Sequence, residues 1–262
     1  MDDGLRLALT TLTVAPVRGP TSLDRRTAGR AMALAPLVGL GLSLMAATVM
    51  YGMRITQAHR GSELLPAALA LGTLALLTRG LHLDGLVDLT DGLASYRGPQ
   101  QARNIMKAPG VGALGVAAVI LVLLVQAAAL GACVHSGRGT ASLLLAVVTG
   151  RLAITAACVS TPAAATEGLG ALVAGTVRRG VTSVWAVSVA AAFAGYAVFD
   201  LDTTSSDPVR VLRTVAAVAL ALAAARGLRH HAVRRLGGLT GDVLGALSEV
   251  ATTVCLVVLS MG

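Results

Sequence analysis

The sequence predicts an all-α, polytopic membrane helical bundle with six or seven transmembrane helices. Hydrophobic residues make up 55% of the 262 residues, charged residues only 13%, and the mean hydropathy is +0.77. An ordinary soluble domain carries about 25% charged residues, and disorder requires low hydrophobicity. The composition therefore excludes a disordered chain, disfavours a soluble enzyme, and indicates a single integral membrane domain over residues 1–262.

Seven apolar segments approach the roughly 20 residues that a spanning helix needs. In order, they are Ala31–Met53, Leu64–Thr78, Val111–Val134, Thr140–Ser160, Val181–Phe199, Val211–Ala225 and Leu244–Met261. The second and the sixth are short, so we expect them to begin or end at an interface. Leu5–Val14 is too short to span, and we expect it to lie on the membrane surface.

The distribution of basic residues predicts the orientation. The net charge of +8 is compatible with nucleic-acid binding, but the Lys and Arg residues lie between apolar segments, where they set membrane orientation. We therefore expect no nucleic-acid partner. If the N-terminus is cytoplasmic, few basic residues fall on the outside: Arg54, Arg60, Arg138, Arg210 and Arg213. The predicted outer loop Asp200–Asp207 carries three acids and no base, which agrees with an N-terminus in the cytoplasm and a cytoplasmic-membrane location.

An acidic cluster follows the second apolar segment. Asp84, Asp88 and Asp91 stand at positions i, i+4 and i+7, which fall within about 60° on one helix face. Like charges at this spacing repel, and carboxylates near a bilayer are costly. A divalent cation, or a place at the aqueous boundary, would compensate them. Carboxylates without a His/Cys set favour Mg²⁺, with Mn²⁺ as an alternative.

A second polar segment lies near the C-terminus. Thr240 or Asp242 is a candidate cap for the last helix. Asp242 and Glu249 are seven residues apart and share one face, and an acid within a span is a functional candidate. Under the predicted orientation both polar segments face the cytoplasm, so they can meet in one pocket.

Both segments carry motifs of a known family. Gly80-Leu-His-Leu-Asp-Gly-Leu-Val-Asp-Leu-Thr-Asp-Gly92 and Gly237-Gly-Leu-Thr-Gly-Asp-Val-Leu-Gly-Ala246 resemble the two signatures of the cobalamin synthase family, the adenosylcobinamide-GDP ribazoletransferases. Ile105-Met-Lys107 and Glu167-Gly-Leu-Gly170 resemble two shorter segments of that family. This chain departs from the family at Ala108-Pro109, where Asp-Ser is usual, and it lacks the usual Arg before Glu167.

The resemblance implies a reaction. α-Ribazole, or its 5′-phosphate, attacks the corrinoid-linked phosphate of adenosylcobinamide-GDP, and GMP leaves. We expect Asp84, Asp88 and Asp91 to hold one or two Mg²⁺ ions on the diphosphate. Asp242 or Glu249 completes the metal site or removes the proton of the ribazole 5′-hydroxyl; the sequence leaves both roles open.

Further side chains are candidate substrate contacts. They are His82, Arg103, Asn104, Lys107, Arg151 and Thr240. The alternative role of Lys107 and Arg103 is that of basic anchors that set the membrane orientation. Arg151 falls inside a span and needs an acid or a phosphate as partner. His82 lies about 160° around the helix from Asp84, which favours packing over metal binding.

Two other classes of protein remain as alternatives. A CDP-alcohol phosphotransferase also uses spaced aspartates on membrane helices, but after Ala94 this chain continues with Ser95 instead of the Ala-Arg of that family. An ion-coupled transporter would use the acids as a cation site, and it would move solute without releasing GMP. The expected partners are the two substrates and the lipid bilayer, and the sequence is also compatible with a homo-oligomer.

Overall fold

The computed structural model describes residues 1–56, 62–198 and 208–262, and this part of the chain is helical without β-strands. Its helices are α1 (Asp3–Leu12), α2 (Arg25–Ala33), α3 (Ala35–Thr56), α4 (Leu64–Leu77), α5 (Leu81–Ala94), α6 (Pro99–Met106), α7 (Ala113–His135), α8 (Gly139–Ala157), α9 (Leu169–Val173), α10 (Arg179–Val198), α11 (Pro208–Leu236) and α12 (Gly241–Ser260). The predicted all-α class is therefore confirmed. The predicted outer loop, and the last residue of the fifth predicted span, lie outside the described residues.

The apolar helices correspond to the predicted spans. Within the described ranges, α3, α7, α8, α11 and α12 are long and apolar enough to cross a membrane, and the bent pair α4–α5 would make a sixth span. A shorter apolar helix covers Arg179–Phe193 of α10. The chain is thus an integral membrane protein. The sixth predicted span, Val211–Ala225, is only part of α11, because α11 continues beyond this apolar segment through arginine-rich turns.

Successive long helices alternate in direction, so loops and short helices gather at two ends of the bundle. At one end, Glu63 lies 4.0 Å from His135, and the Arg213 side chain donates to the carbonyl of the C-terminal residue at 2.8 Å. At the other end, the Val14 N–H donates to the Leu77 carbonyl at 2.8 Å. We call the end with the Val14–Leu77 hydrogen bond, which holds α1, α2, α5 and α6, the proximal end. The opposite end, with Glu63 and His135, is the distal end.

Two capped helices cover part of the proximal end. The Asp2 carboxylate accepts from the Gly4 N–H at 3.0 Å and begins α1. Asp24 accepts from the Thr27 N–H at 2.6 Å and begins α2; hydrogen bonds from Thr27 hold the pKa of the Asp24 carboxyl below its ordinary value. With 10 residues, α1 is too short to span, as predicted for Leu5–Val14, and its position on a membrane surface stays a prediction.

Helix α12 is the centre of the bundle and packs against α5, α7, α8 and α11. Small residues allow these close approaches. A Cβ at Gly150 of α8 would stand 2.8 Å from the Ser248 carbonyl oxygen of α12. Such small-residue contacts let helix backbones approach closely in a membrane, where dispersion and hydrogen bonds replace the hydrophobic effect as the driving force.

A bend of 87° separates α4 from α5. Arg79 and Gly80 adopt left-handed conformations, with φ of 56° and 66°, and the Gly80 N–H donates to the Ala75 carbonyl at 2.8 Å. This hydrogen bond closes the end of α4 in the manner of a glycine-terminated helix. The predicted short span Leu64–Thr78 therefore ends where the chain turns, and α5 takes a new direction at the proximal end.

Candidate active site

The predicted carboxylate stripe lies on α5. Asp84 is exposed, Asp88 and Asp91 are half-buried, and Leu86 and Leu89 are buried. The helix therefore directs its carboxylates away from the core, as the i, i+4, i+7 spacing predicts. Their exposure relieves part of the cost of placing three acids on one helix face.

Two glycines bring α5 against α12. A Cβ at Gly85 would stand 2.7 Å from the Asp242 carbonyl oxygen, and a Cβ at Gly245 would stand 3.1 Å from the His82 Cα. Because neither glycine has a side chain, the two backbones meet directly. The contact places Asp242 beside the stripe, where its charge interacts with those of Asp84 and Asp88. The two polar segments therefore meet at the proximal end, as predicted.

The cap of α12 is Thr240. Its Oγ1 accepts from the Val243 N–H at 3.2 Å, so of the two predicted cap candidates it is Thr240 that fills this role. Asp242 stands in the first helical turn, where the positive end of the helix dipole favours a carboxylate. Its half-buried side chain lies beside the stripe and accepts hydrogen bonds from Thr240 and from its own backbone N–H.

The loop before α12 is held by a second loop. The Leu239 N–H donates to the Pro162 carbonyl at 2.8 Å, and the Ala164 N–H donates to the Leu239 carbonyl at 3.1 Å. A Cβ at Gly170 would stand 2.3 Å from the Leu239 oxygen, and a Cβ at Gly238 would stand 2.3 Å from the Ala163 carbonyl carbon. The glycines of both motifs are therefore needed for contact between these loops.

Asp91 has a different environment from the other acids. Its two carboxylate oxygens accept from the Gly112 N–H at 2.7 Å and the Gly115 N–H at 2.9 Å. The Asp91 side chain thereby caps α7, whose N-cap residue Gly112 has no side chain to do so. Asp91 remains on the wall of the site, but its oxygens are committed to backbone amides.

Two of the predicted basic residues, Arg103 and Lys107, lie in α6 and at its C-terminal end, and their side chains have different surroundings. The Arg103 guanidinium donates to the Leu236 carbonyl at the end of α11 and to Gln100. Asn104 accepts from Gln100 at 3.2 Å. Lys107 is exposed at the end of α6, and its charge interacts with that of Asp242. Of the three, Lys107 is the one placed to meet a phosphate beside the carboxylates.

A pocket of about 510 Å³ adjoins the stripe. Asp88 and Asp91 line one side, and Ile105 and the 108–114 segment line the other. Ala108 and Pro109, the residues at which the chain departs from the family motif, belong to this wall. The sequence offered no sign that this segment folds over the aspartates, because 17 or more residues separate them along the chain.

Glu249 and Arg151 lie in the interior instead. Gln126, at 2% exposure, donates to the Glu249 carboxylate at 2.9 Å, and buried Arg151 donates to the Ser248 hydroxyl at 3.1 Å. Glu249 is two helical turns, roughly 10 Å, from Asp242 along α12. The carboxylate site and this buried cluster are therefore separate, and the part played by Gln126 was not predicted.

His82 is also interior. It is 2% exposed, and neither ring nitrogen has a hydrogen-bond partner within the described ranges. Its backbone contacts Gly245 of α12, and its side chain is buried whereas that of Asp84 is exposed. This agrees with the predicted angular separation and places His82 in the packing between α5 and α12.

The donors present fit Mg²⁺ only when it is shared with a substrate. Among residues 1–56, 62–198 and 208–262, no three or more His, Cys, Asp and Glu side chains are arranged to hold a metal by themselves. Asp84, Asp88 and Asp242 nevertheless supply hard oxygens at an open surface. Mg²⁺ in proteins commonly takes one or two carboxylates, with waters and phosphate oxygens completing its shell.

The fold and the site together define an all-α integral membrane protein with a carboxylate site at one end of its bundle. The family model described as cobalamin-5-phosphate synthase matches residues 4–260. No solved structure matches the chain. The chain is 47% identical to the adenosylcobinamide-GDP ribazoletransferase of Frankia casuarinae, over 98% of this chain and 94% of the relative.

Two further relatives carry the same name. The protein of Nocardioides sp. is 38% identical over 98% of this chain and 97% of its own length. That of Corynebacterium efficiens is 34% identical over 97% and 90%. The chain belongs to the cobalamin-5-phosphate synthase family, and the predicted resemblance is confirmed.

Proposed function

We propose that this chain transfers the adenosylcobinamide phosphate group of adenosylcobinamide-GDP to α-ribazole or α-ribazole 5′-phosphate and releases GMP. Support comes from membership of the family and from the names of its relatives. The structural observation that carries the proposal is the convergence of Asp84 and Asp88 with Asp242 and Lys107 at the proximal end.

The transfer breaks one P–O bond and forms another. A ribose hydroxyl of the acceptor attacks the phosphorus attached to the corrinoid side chain, its proton passes to a base, and GMP leaves with the bridging oxygen. Since the 5′ oxygen of α-ribazole 5′-phosphate is already esterified, a nucleophile common to both acceptors is another ribose hydroxyl. This corrects the expectation that the 5′-hydroxyl attacks.

The chain's own residues supply charge and position. Asp84 and Asp88 would hold Mg²⁺, or Mn²⁺, together with the diphosphate, and the metal would supply neutralisation of the charge that develops on the leaving group. Lys107 contacts a phosphate oxygen as a point charge. Asp242 accepts the proton of the attacking hydroxyl, because it is half-buried beside the stripe, whereas Glu249 is enclosed.

The proximal end faces the cytoplasm in this proposal, and the membrane is the cytoplasmic membrane. The support is the distribution of arginine: α2, α10 and α11 carry basic residues at this end, among them Arg25, Arg179 and Arg234. Lys and Arg are enriched on the cytoplasmic side of membrane proteins.

The test is release of GMP from adenosylcobinamide-GDP by protein purified in detergent. Removing a metal-binding or proton-accepting carboxylate typically lowers kcat by about 10²-fold or more, so we expect that loss for Asp84→Asn and Asp242→Asn. Glu249→Gln, in the buried cluster, should retain most of its activity. Glu63→Gln at the distal end is the control.

Metal dependence is tested in the same assay. Exhaustive chelation should abolish GMP release, and Mg²⁺ or Mn²⁺ should restore it. Undiminished turnover after chelation would exclude the metal role. Normal turnover by Asp84→Asn would remove the carboxylate site itself, and transport of solute without GMP release would return the chain to the transporter alternative.

A further inference from the structure

A pocket of about 650 Å³ opens at the proximal end between α8, α10 and α11. Its polar lining residues are Ser160, Arg179, Thr182, Ser183, Arg226 and Arg229. The volume lies within the range of small-molecule sites, about 300–1,000 Å³. None of the residues assigned to the carboxylate site lines it.

The pocket is separated from the carboxylate site by the body of α12. Leu247 lines the pocket, whereas Gly245 faces α5. Two residues along a helix correspond to about 200° of rotation, so positions 245 and 247 face opposite sides of α12. Any ligand bound in this pocket therefore occupies a site separate from the carboxylates.

The charge of the pocket is positive and uncompensated. Arg179 comes from α10 and Arg226 and Arg229 come from α11, and none of the described residues that line the pocket is acidic. The ion pairs of the described chain involve none of the three. Arg226 and Arg229 stand three residues apart on one helix face, where like charges repel. An anion between them would relieve this repulsion.

Hydrogen-bonding groups in the pocket are prepared for an acceptor. Arg229 is oriented by bonds from its guanidinium to the Ala156 carbonyl at 3.2 Å and to the Thr161 hydroxyl at 3.3 Å. The Thr182 hydroxyl is buried and has no partner within the described chain. A phosphate offers several acceptor oxygens, and arginine is the side chain best matched to it.

The remaining walls are apolar. Ala153, Ala157, Leu222 and Leu247 line them, and the outer faces of α10 and α11 expose large hydrophobic side chains, such as Val187 at 68%. A ligand that fits both parts of the pocket carries an anionic group and an apolar body. Free inorganic phosphate would use only the basic part.

We propose that this pocket binds a phosphate group attached to an apolar molecule. Two sources have this chemistry: an anionic phospholipid of the surrounding membrane, and α-ribazole 5′-phosphate held at a site apart from the carboxylates where it reacts. Binding to basic pockets between helices is an established mode of lipid recognition. The first source is independent of the transferase function proposed above, and the second rests on it.

The experiment measures binding without turnover. The full chain is placed in nanodiscs of phosphatidylcholine alone or mixed with phosphatidylglycerol, and lipid retained after extraction is counted by native mass spectrometry. Titration calorimetry in the phosphatidylcholine discs measures α-ribazole 5′-phosphate. The pocket variant is Arg179→Gln/Arg226→Gln, and Thr182→Val is the milder second variant. Arg18→Gln/Arg234→Gln, which removes two exposed arginines elsewhere, is the matched control.

We expect the pocket variant to lose about tenfold or more in affinity for at least one ligand, the scale of one charge-assisted hydrogen bond, while the control keeps the parental value. Selective retention of phosphatidylglycerol identifies the lipid as the source, and heat of binding from α-ribazole 5′-phosphate alone identifies the acceptor. Equal losses in the pocket and control variants, or no binding of either ligand by the parent, overturn the proposal. Because GMP release is not used, failure here leaves the proposed function standing.

Discussion

At the scale of single residues, the site depends on which carboxylates remain accessible to a substrate. Asp84, Asp88 and Asp242 keep carboxylates available to a substrate, whereas the Asp91 oxygens are occupied by two amides of α7. The spacing of the aspartates predicted the stripe. The capping role of Asp91 was not predictable, because its partners lie 21 and 24 residues away.

Substitutions of Asp91 and Asp84 should therefore differ in their effect on thermal stability. Asp91→Ala removes the cap of α7, and losing a cap typically costs about 0.5–2 kcal/mol, so we expect a lower Tm and lower activity. Asp84→Ala should keep the parental Tm and lose GMP release. Thermal unfolding of both variants in detergent distinguishes the roles, and identical melting curves would show that the amide contacts of Asp91 contribute nothing.

Gly85 gives a second prediction at this scale. A Cβ there would stand 2.7 Å from the Asp242 backbone, and overpacking of this kind typically costs about 1–3 kcal/mol. We expect Gly85→Ala to lower both the Tm and the rate of GMP release, because Asp242 would move away from α5.

Gly72→Ala is the matched control for Gly85→Ala. Gly72 lies in α4, and no heavy atom of the described residues stands within 4 Å of its added Cβ. Alanine favours a helix over glycine, so this variant should be at least as stable as the parent. Equal behaviour of the two variants would contradict direct contact of the α5 and α12 backbones.

At the scale of elements, hydropathy predicted where the helices are but not how they bend. The segment Leu64–Thr78 was recognised as short, and the reason is the turn at Arg79 and Gly80. Arg151 and Glu249 were placed near the substrate because charged residues in spans commonly serve function. Their burial follows from packing against Ser248 and Gln126, which no local pattern reports.

The bend can be tested through Gly80. Its φ of 66° is left-handed, a conformation that costs an L-residue about 1–2 kcal/mol. Gly80→Ala should lower the Tm and reduce activity, because α5 carries the aspartates. Gly41→Ala, at an open position of α3, should do neither. A Gly80→Ala protein with unchanged Tm and turnover would show that the bend carries no strain.

At the scale of the whole molecule, composition was sufficient to predict a membrane-embedded helical bundle. The distribution of basic residues between the apolar segments predicted that the two polar segments lie on the same side and can meet. The pairing of helices was not available from the sequence. In particular, the central place of α12 depends on contacts such as Gly85 with Asp242 and Gly150 with Ser248, whose partners are about 100 or more residues apart in sequence and therefore invisible to local periodicity.

The orientation is a prediction for the whole molecule. Cys133, Cys158 and Cys255 are buried, so a single added cysteine reports its own side of the membrane. Gln101→Cys at the proximal end should react with a membrane-impermeant maleimide only in inverted vesicles, and Ser62→Cys at the distal end only in intact cells. The reverse pattern would place the carboxylate site outside.

The glycine contact between α5 and α12 limits how this enzyme family can diversify. Where two helix backbones touch, an added side chain would clash. A substitution there therefore disrupts the packing before it can change which substrate is preferred. In the 108–114 wall of the neighbouring pocket, this restriction applies only to Gly110, which has a φ of 110°, and to Gly112, where an added Cβ would overlap the Asp91 carboxylate. A laboratory search for new acceptor bases should therefore randomise Ala108, Pro109, Val111, Ala113 and Leu114 and leave the glycines untouched.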